Sequence, residues 1–158
     1  DFQGSRGLGD VYKRQDISVA ESCTGGNVSS LLTSVPGSSK YFKGGMIAYS
    51  NEIKINSLEV PKEKIEKFGA VSREVVEEMA KKIRIKFKTS LGIASSGIAG
   101  PGGGTKDKPV GTVWIAIADK NNVMSKKLSL TDRRDVNITL SSISLLNIIR
   151  IFLEKYRE

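Results

Sequence analysis

Residues 17–32, ISVAESCTGGNVSSLL, decide the fold class. The first four form a short strand candidate, Glu21-Ser22-Cys23-Thr24-Gly25-Gly26 ends it, and residues 27–34 continue as a helix through Val28, Leu31 and Leu32. A strand passing through a glycine turn into a helix is the unit from which layered α/β domains are built. Outward from this segment the alternation repeats. After a break at Pro36-Gly37-Ser38-Ser39, residues 45–50 read as an apolar strand and 51–58 as a short helix. Residues 61–68 and 72–88 read as helices, with Gly69 as the stop between them and Ser72 as an N-cap. Residues 91–95 form a buried strand candidate, and 112–118 with 123–130 a hairpin around Asp119-Lys120-Asn121-Asn122. From Asp132 to about Tyr156 a long helix keeps Val136, Leu140, Ile143, Leu146, Ile149 and Leu153 at the i, i+3, i+4 rhythm.

The 158 residues, 39% hydrophobic, suffice for one domain with its own core. A single cysteine, Cys23, excludes an internal disulfide and a thiolate cage for a metal. The complete absence of histidine excludes more. The chain cannot supply a Ser-His-Asp triad, a Cys-His pair or a His-ligated metal, so hydrolytic chemistry must draw its base from Lys, Asp, Glu, Tyr or a thiolate. No metal and no cofactor is called for. Uninterrupted apolar runs fall far short of the roughly 20 residues of a membrane span, and no apolar stretch marks a secretory signal, which sets a cytoplasmic expectation. The net charge of +8 is spread along helices with Glu interleaved, as on a solvated surface rather than a nucleic-acid footprint.

Residues 1–15, DFQGSRGLGDVYKRQ, carry no apolar period and read as non-native. DVYKRQ resembles the translation of a transposase adapter end used in DNA library preparation, so the natural domain is expected over residues 16–158.

Three constellations could carry chemistry. Gly97 to Gly104 packs five glycines into eight positions, which lets backbone amides approach an anion; a plain tight connection is the competing reading. Ser22-Cys23-Thr24-Gly25-Gly26 lies between strand and helix, where ligands of open α/β sheets gather, although Ser22 or Thr24 could serve only as a helix cap. Ser39 and Lys54, 15 positions apart across the strand at 45–50, could form a Ser-Lys pair if the lysine is kept neutral by desolvation or by a neighbouring cation, for which Arg133 is a candidate.

Six ordered motifs join these pieces: AESCTGG at 20–26, VPGSSKYF at 35–42, YSNEIK at 49–54, GAVS at 69–72, SGIAGPGGGTKDKPVGTVW at 96–114 and DRRDV at 132–136. Together they resemble the CinA C-terminal domain family, whose characterised members are nicotinamide-nucleotide amidohydrolases. The resemblance implies a three-layer α/β/α sandwich with a mixed sheet, lacking here the helix that ordinarily precedes the AESCTGG strand. It implies hydrolysis of nicotinamide mononucleotide to nicotinate mononucleotide and ammonia, in pyridine-nucleotide salvage. It places the nucleophile on Ser39 and the base on Lys54, and it puts Ser22, Tyr49, Ser96 and Arg133 in or near the pocket. Gly97, Gly100, Gly102 and Gly103 are then expected, with Arg133, around the nucleotide phosphate. The expected partners are a small nucleotide substrate and a second copy of the chain, with neither nucleic acid nor membrane. A nucleotide-binding domain that retains the glycine loop without catalysis is the alternative.

Overall fold

The computed structural model describes residues 15–156, so the expectation for residues 1–15 falls, Gln15 apart, outside the described residues. Five strands build one mixed sheet: β1 (Ile17–Glu21), β2 (Phe42–Ile47), β3 (Leu91–Gly97), β4 (Thr112–Ala118) and β5 (Val123–Ser129). Their order is β2-β1-β3-β4-β5. β2, β1 and β3 run parallel, whereas β3-β4 and β4-β5 are antiparallel. The central strands β1 and β3 are buried almost throughout, as strands covered on both faces must be, while the outer strand β5 places Lys126 and Lys127 in solvent.

Five α-helices complete two further layers: α1 (Asn27–Thr33), α2 (Asn51–Asn56), α3 (Lys62–Phe68), α4 (Arg73–Phe87) and α5 (Arg134–Lys155), with a 3₁₀ turn at Ser38–Lys40. α4 lays Val75, Val76, Met79, Ala80 and Ile83 across one sheet face. It comes so close at Gly92 that a Cβ there would stand 2.1 Å from the Ala80 carbonyl oxygen, which admits only glycine. Ser72 caps this helix, accepting from the Val75 amide, and Gly69 ends α3, both as the sequence predicts. α1 and α5 cover the opposite face, closing the expected α/β/α sandwich.

Two expectations shift. The strand read at 45–50 runs instead at Phe42–Ile47, because Ser50 is committed as the N-cap of α2 and its hydroxyl accepts from the Ile53 amide. The buried face of α5 follows the apolar set read from the sequence only in its second half, where Ile149 and Leu153 are buried and Leu146 packs on the core. Leu140 and Ile143 lie on the surface, and the start of the helix turns Asn137, Ser141 and Ser142 inward. Asn137 explains the rotation, since its amide donates to the Ala99 and Thr131 carbonyls and locks that face against the β3 loop. By length and composition α5 could cross a membrane; here Leu145, Ile148, Ile149, Phe152 and Leu153 are buried in the domain core.

Candidate active site

In parallel strands the carboxyl ends share one edge of the sheet, and the loops leaving β1, β2 and β3 meet there. β1 ends at Glu21 and hands the chain to a turn whose first residue is Ser22. The Ser22 amide donates to the Ser95 carbonyl of β3 at 3.1 Å, so the turn starts as an extension of the sheet. β2 ends at Ile47, and α2 begins four residues later, carrying Lys54 back over the same edge.

Lys54 is 2% exposed, one of the largest fully buried side chains among the described residues. Its Nζ stands 3.0 Å from Ser22 Oγ and donates to the Tyr49 carbonyl at 2.9 Å. Burial penalises the ammonium and pushes its pKa down to about 8 from 10.5. Of the two routes open from the sequence, desolvation or a neighbouring cation such as Arg133, it is desolvation that acts here. Loss of water alone accounts for the direction.

Around the pair lies a cleft of about 290 Å³. Ser22, Tyr49, Lys54, Ser96, Gly97, Gly100, Gly102 and Gly103 all line it, so eight of the ten residues singled out in the sequence converge on one place. Ser96 Oγ donates to the Ala70 carbonyl at 2.7 Å, which ties β3 to the segment before α4. Gly100, with φ of 91°, carries the chain over the cleft where a Cβ would strike Val110 at 2.4 Å.

Ser39 is not among the residues that line this cleft. It sits exposed in the 3₁₀ turn ahead of β2, whereas Lys54 follows the far end of that strand. A strand delivers its two flanking loops to opposite edges of the sheet. The six residues of β2, at roughly 3.3 Å each, span about 20 Å between the two loops that flank it. The serine that meets Lys54 is Ser22.

Arg133 does not line the cleft either. Its guanidinium turns outward and binds Asp135 at 2.9 Å, holding that carboxyl below its ordinary range. The next residue, Arg134, reaches the cleft instead, donating to the Gly100 carbonyl at 2.7 Å and to the Tyr49 hydroxyl at 3.1 Å. Asn51, Ala70 and Val71 also line the cleft and escaped the sequence reading. The adjacent arginines of DRRDV gave no signal to separate them, but Asn51 stood inside the YSNEIK motif and could have been found.

Cys23, beside the serine, is no competing nucleophile. Burial raises its thiol to about 11, so the thiolate that would attack is scarce near neutrality.

Known proteins resemble this chain along most of its length. A family model described as the CinA C-terminal domain matches residues 9–153. A CinA-like protein of Cytophaga hutchinsonii is 50% identical over 145 residues, 90% of this chain and 35% of its own length. One from Fusobacterium nucleatum is 50% identical over 142 residues, 89% of this chain and 34% of its own. The chain thus spans about a third of the curated relatives it matches. Among solved structures, the competence/damage inducible protein CihA from Agrobacterium tumefaciens superposes with a TM-score of 0.85 at 35% identity, covering 92% of this chain and 91% of that one. The competence damage-inducible protein A of Klebsiella pneumoniae gives 0.90 at 28% identity, covering 98% and 94%.

Proposed function

We propose that this chain, which belongs to the CinA C-terminal domain family, hydrolyses the carboxamide of nicotinamide mononucleotide to nicotinate mononucleotide and ammonia. One observation carries the reading: a serine hydroxyl 3.0 Å from a buried lysine whose ammonium is disfavoured, both opening on the same cleft. In a chain without histidine this is the available hydroxyl activation.

The neutral Lys54 amine accepts the Ser22 proton while Oγ forms a bond to the amide carbon. The tetrahedral oxyanion then collapses, the C–N bond breaks, and the proton held by Lys54 passes to the leaving nitrogen as ammonia. Water, deprotonated by the same amine, adds to the acyl-serine, breaks the C–Oγ bond and returns the proton to Ser22. Preorganised donors at the oxyanion are worth several kcal/mol in acyl transfer. The Cys23 and Thr24 amides, which donate to no backbone carbonyl among the described residues, suit that task by following the nucleophile.

Arg134 and the Gly100–Gly103 backbone supply a cation and small-residue access for the phosphate at the other end of the substrate. Among the described residues no Asp or Glu lines the cleft to oppose an anion. A cytoplasmic setting and a homodimeric assembly belong to the same proposal. The test is ammonia and nicotinate mononucleotide formation from nicotinamide mononucleotide. Equimolar appearance of both supports the activity; a folded chain that binds the nucleotide but releases no ammonia overturns it in favour of a binding domain.

A further inference from the structure

Directly before the nucleophile stands Glu21, a carboxylate fully withdrawn from solvent and absent from the cleft wall. Each oxygen takes two donors. Oε1 accepts from the Thr24 hydroxyl at 2.6 Å and the Val28 amide at 2.9 Å; Oε2 accepts from the Ser29 amide at 3.0 Å and the Ser29 hydroxyl at 2.7 Å. Thr24 Oγ1 in turn lies 2.7 Å from Ser95 Oγ, on the strand whose carbonyl receives the Ser22 amide.

Burying a carboxylate is costly, and a helix start can be capped by a neutral side chain at the N-cap itself. Here the N-cap is Gly26, which offers none. The capping group reaches in from the end of β1 instead, where the positive end of α1 favours a charge. This fixes more than a helix terminus. It clamps the whole turn of residues 22–26 between two points, the end of the sheet and the first turn of α1, and Ser22 belongs to that turn.

We propose that Glu21 is a positioning residue that holds the Ser22 hydroxyl in line with Lys54 without touching the substrate. The inference rests on Ser22 being the nucleophile. A misplacement of about 1 Å at a reacting group costs on the order of 10²-fold in rate. Substrate binding, made by other walls of the cleft, should not share that loss.

The experiment measures kcat, KM and the pH profile for ammonia release from nicotinamide mononucleotide by the whole chain, its Glu21→Gln variant and its Ser22→Ala variant, with circular dichroism confirming the fold. In Glu21→Gln, one oxygen is replaced by an amide that cannot accept from the Ser29 N–H. The expected result is a kcat about 100-fold lower, KM within about twofold, and an unchanged midpoint in pH, since Lys54 is untouched. Wild-type kcat in the folded Glu21→Gln protein, or a loss confined to KM, overturns the proposal. Should Glu21→Gln fail to fold, Thr24→Val decides on the same terms, with a kcat fall of about 5–10-fold expected and wild-type kcat sinking the idea. Activity retained by Ser22→Ala is a separate outcome: it removes the nucleophile assignment and the positioning role with it.

Discussion

Lys54 Nζ and Ser22 Oγ stand 3.0 Å apart, within reach of direct proton transfer, although 32 positions separate them in the chain. Ser22→Ala should lower ammonia release from nicotinamide mononucleotide at least about 10³-fold, as loss of a nucleophile does in serine hydrolases. Ser39→Ala, on the exposed turn at the far edge of the sheet, should stay within about twofold of wild type. The two variants assayed side by side discriminate cleanly: equal losses, or a loss only in Ser39→Ala, would displace the pair.

The base must be unprotonated to act, and its pKa is lowered to about 8. At pH 7 about one Lys54 in ten is then neutral. The rate constant kcat/KM, which follows the free enzyme, should climb close to tenfold per unit below pH 8 and level off above it. A profile flat from pH 6 to 9 would show that the lysine amine is not the base.

Much of the sandwich was legible because its helices and central strands obey simple periods: β1, β3, β4 and α4 fall within two residues of their sequence readings. The first half of α5 was misread in orientation, since Asn137 overrides an apolar rhythm there through bonds to carbonyls that no periodicity reveals, whereas Ile149 and Leu153 are buried as read. The site was legible as a set, but the serine nearest Lys54 was not the one read from the sequence. Ser22, Lys54, Ser96 and the glycines were all in view, but choosing which serine meets the lysine requires knowing that β2 is parallel to β1, which brings the loop after β1, with Ser22, to the same edge as the loop after β2, with Lys54. Strand direction is a long-range fact that short motifs do not carry.

Neighbouring arginines provide a second discrimination. Arg134 faces the cleft and bonds the Gly100 carbonyl, whereas Arg133 is spent on a solvent-exposed pair with Asp135, an interaction worth little to stability. Arg134→Ala should raise KM for the nucleotide about 10–100-fold with a smaller effect on kcat, because a charge-assisted contact to phosphate is lost. Arg133→Ala should leave KM within about twofold. The reverse ranking in steady-state kinetics would return the phosphate to Arg133.

Holding Lys54 out of water exacts a cost in stability that can be measured apart from catalysis. Its folded pKa of about 8 lies below the unfolded value of 10.5, so between these values the unfolded chain binds more protons. Stability therefore rises with pH across that window and carries its full penalty, roughly 3 kcal/mol by the linkage of pKa to free energy, below pH 8. The Cys23 thiol works in the opposite sense: raised from 9.0 to about 11, it withdraws stability as pH climbs between those values. Net gain from the lysine should thus be clearest between pH 8 and 9. Lys54→Met keeps an unbranched chain of similar length without the charge, and denaturant unfolding at pH 7 should find it more stable by about 1–3 kcal/mol, the remainder being lost with the hydrogen bond to the Tyr49 carbonyl. The same variant should release no ammonia. A Lys54→Met protein less stable than wild type at pH 7, or one whose difference from wild type does not narrow as pH rises past 8, would mean that the lysine is held as a comfortable structural cation and not as a strained base.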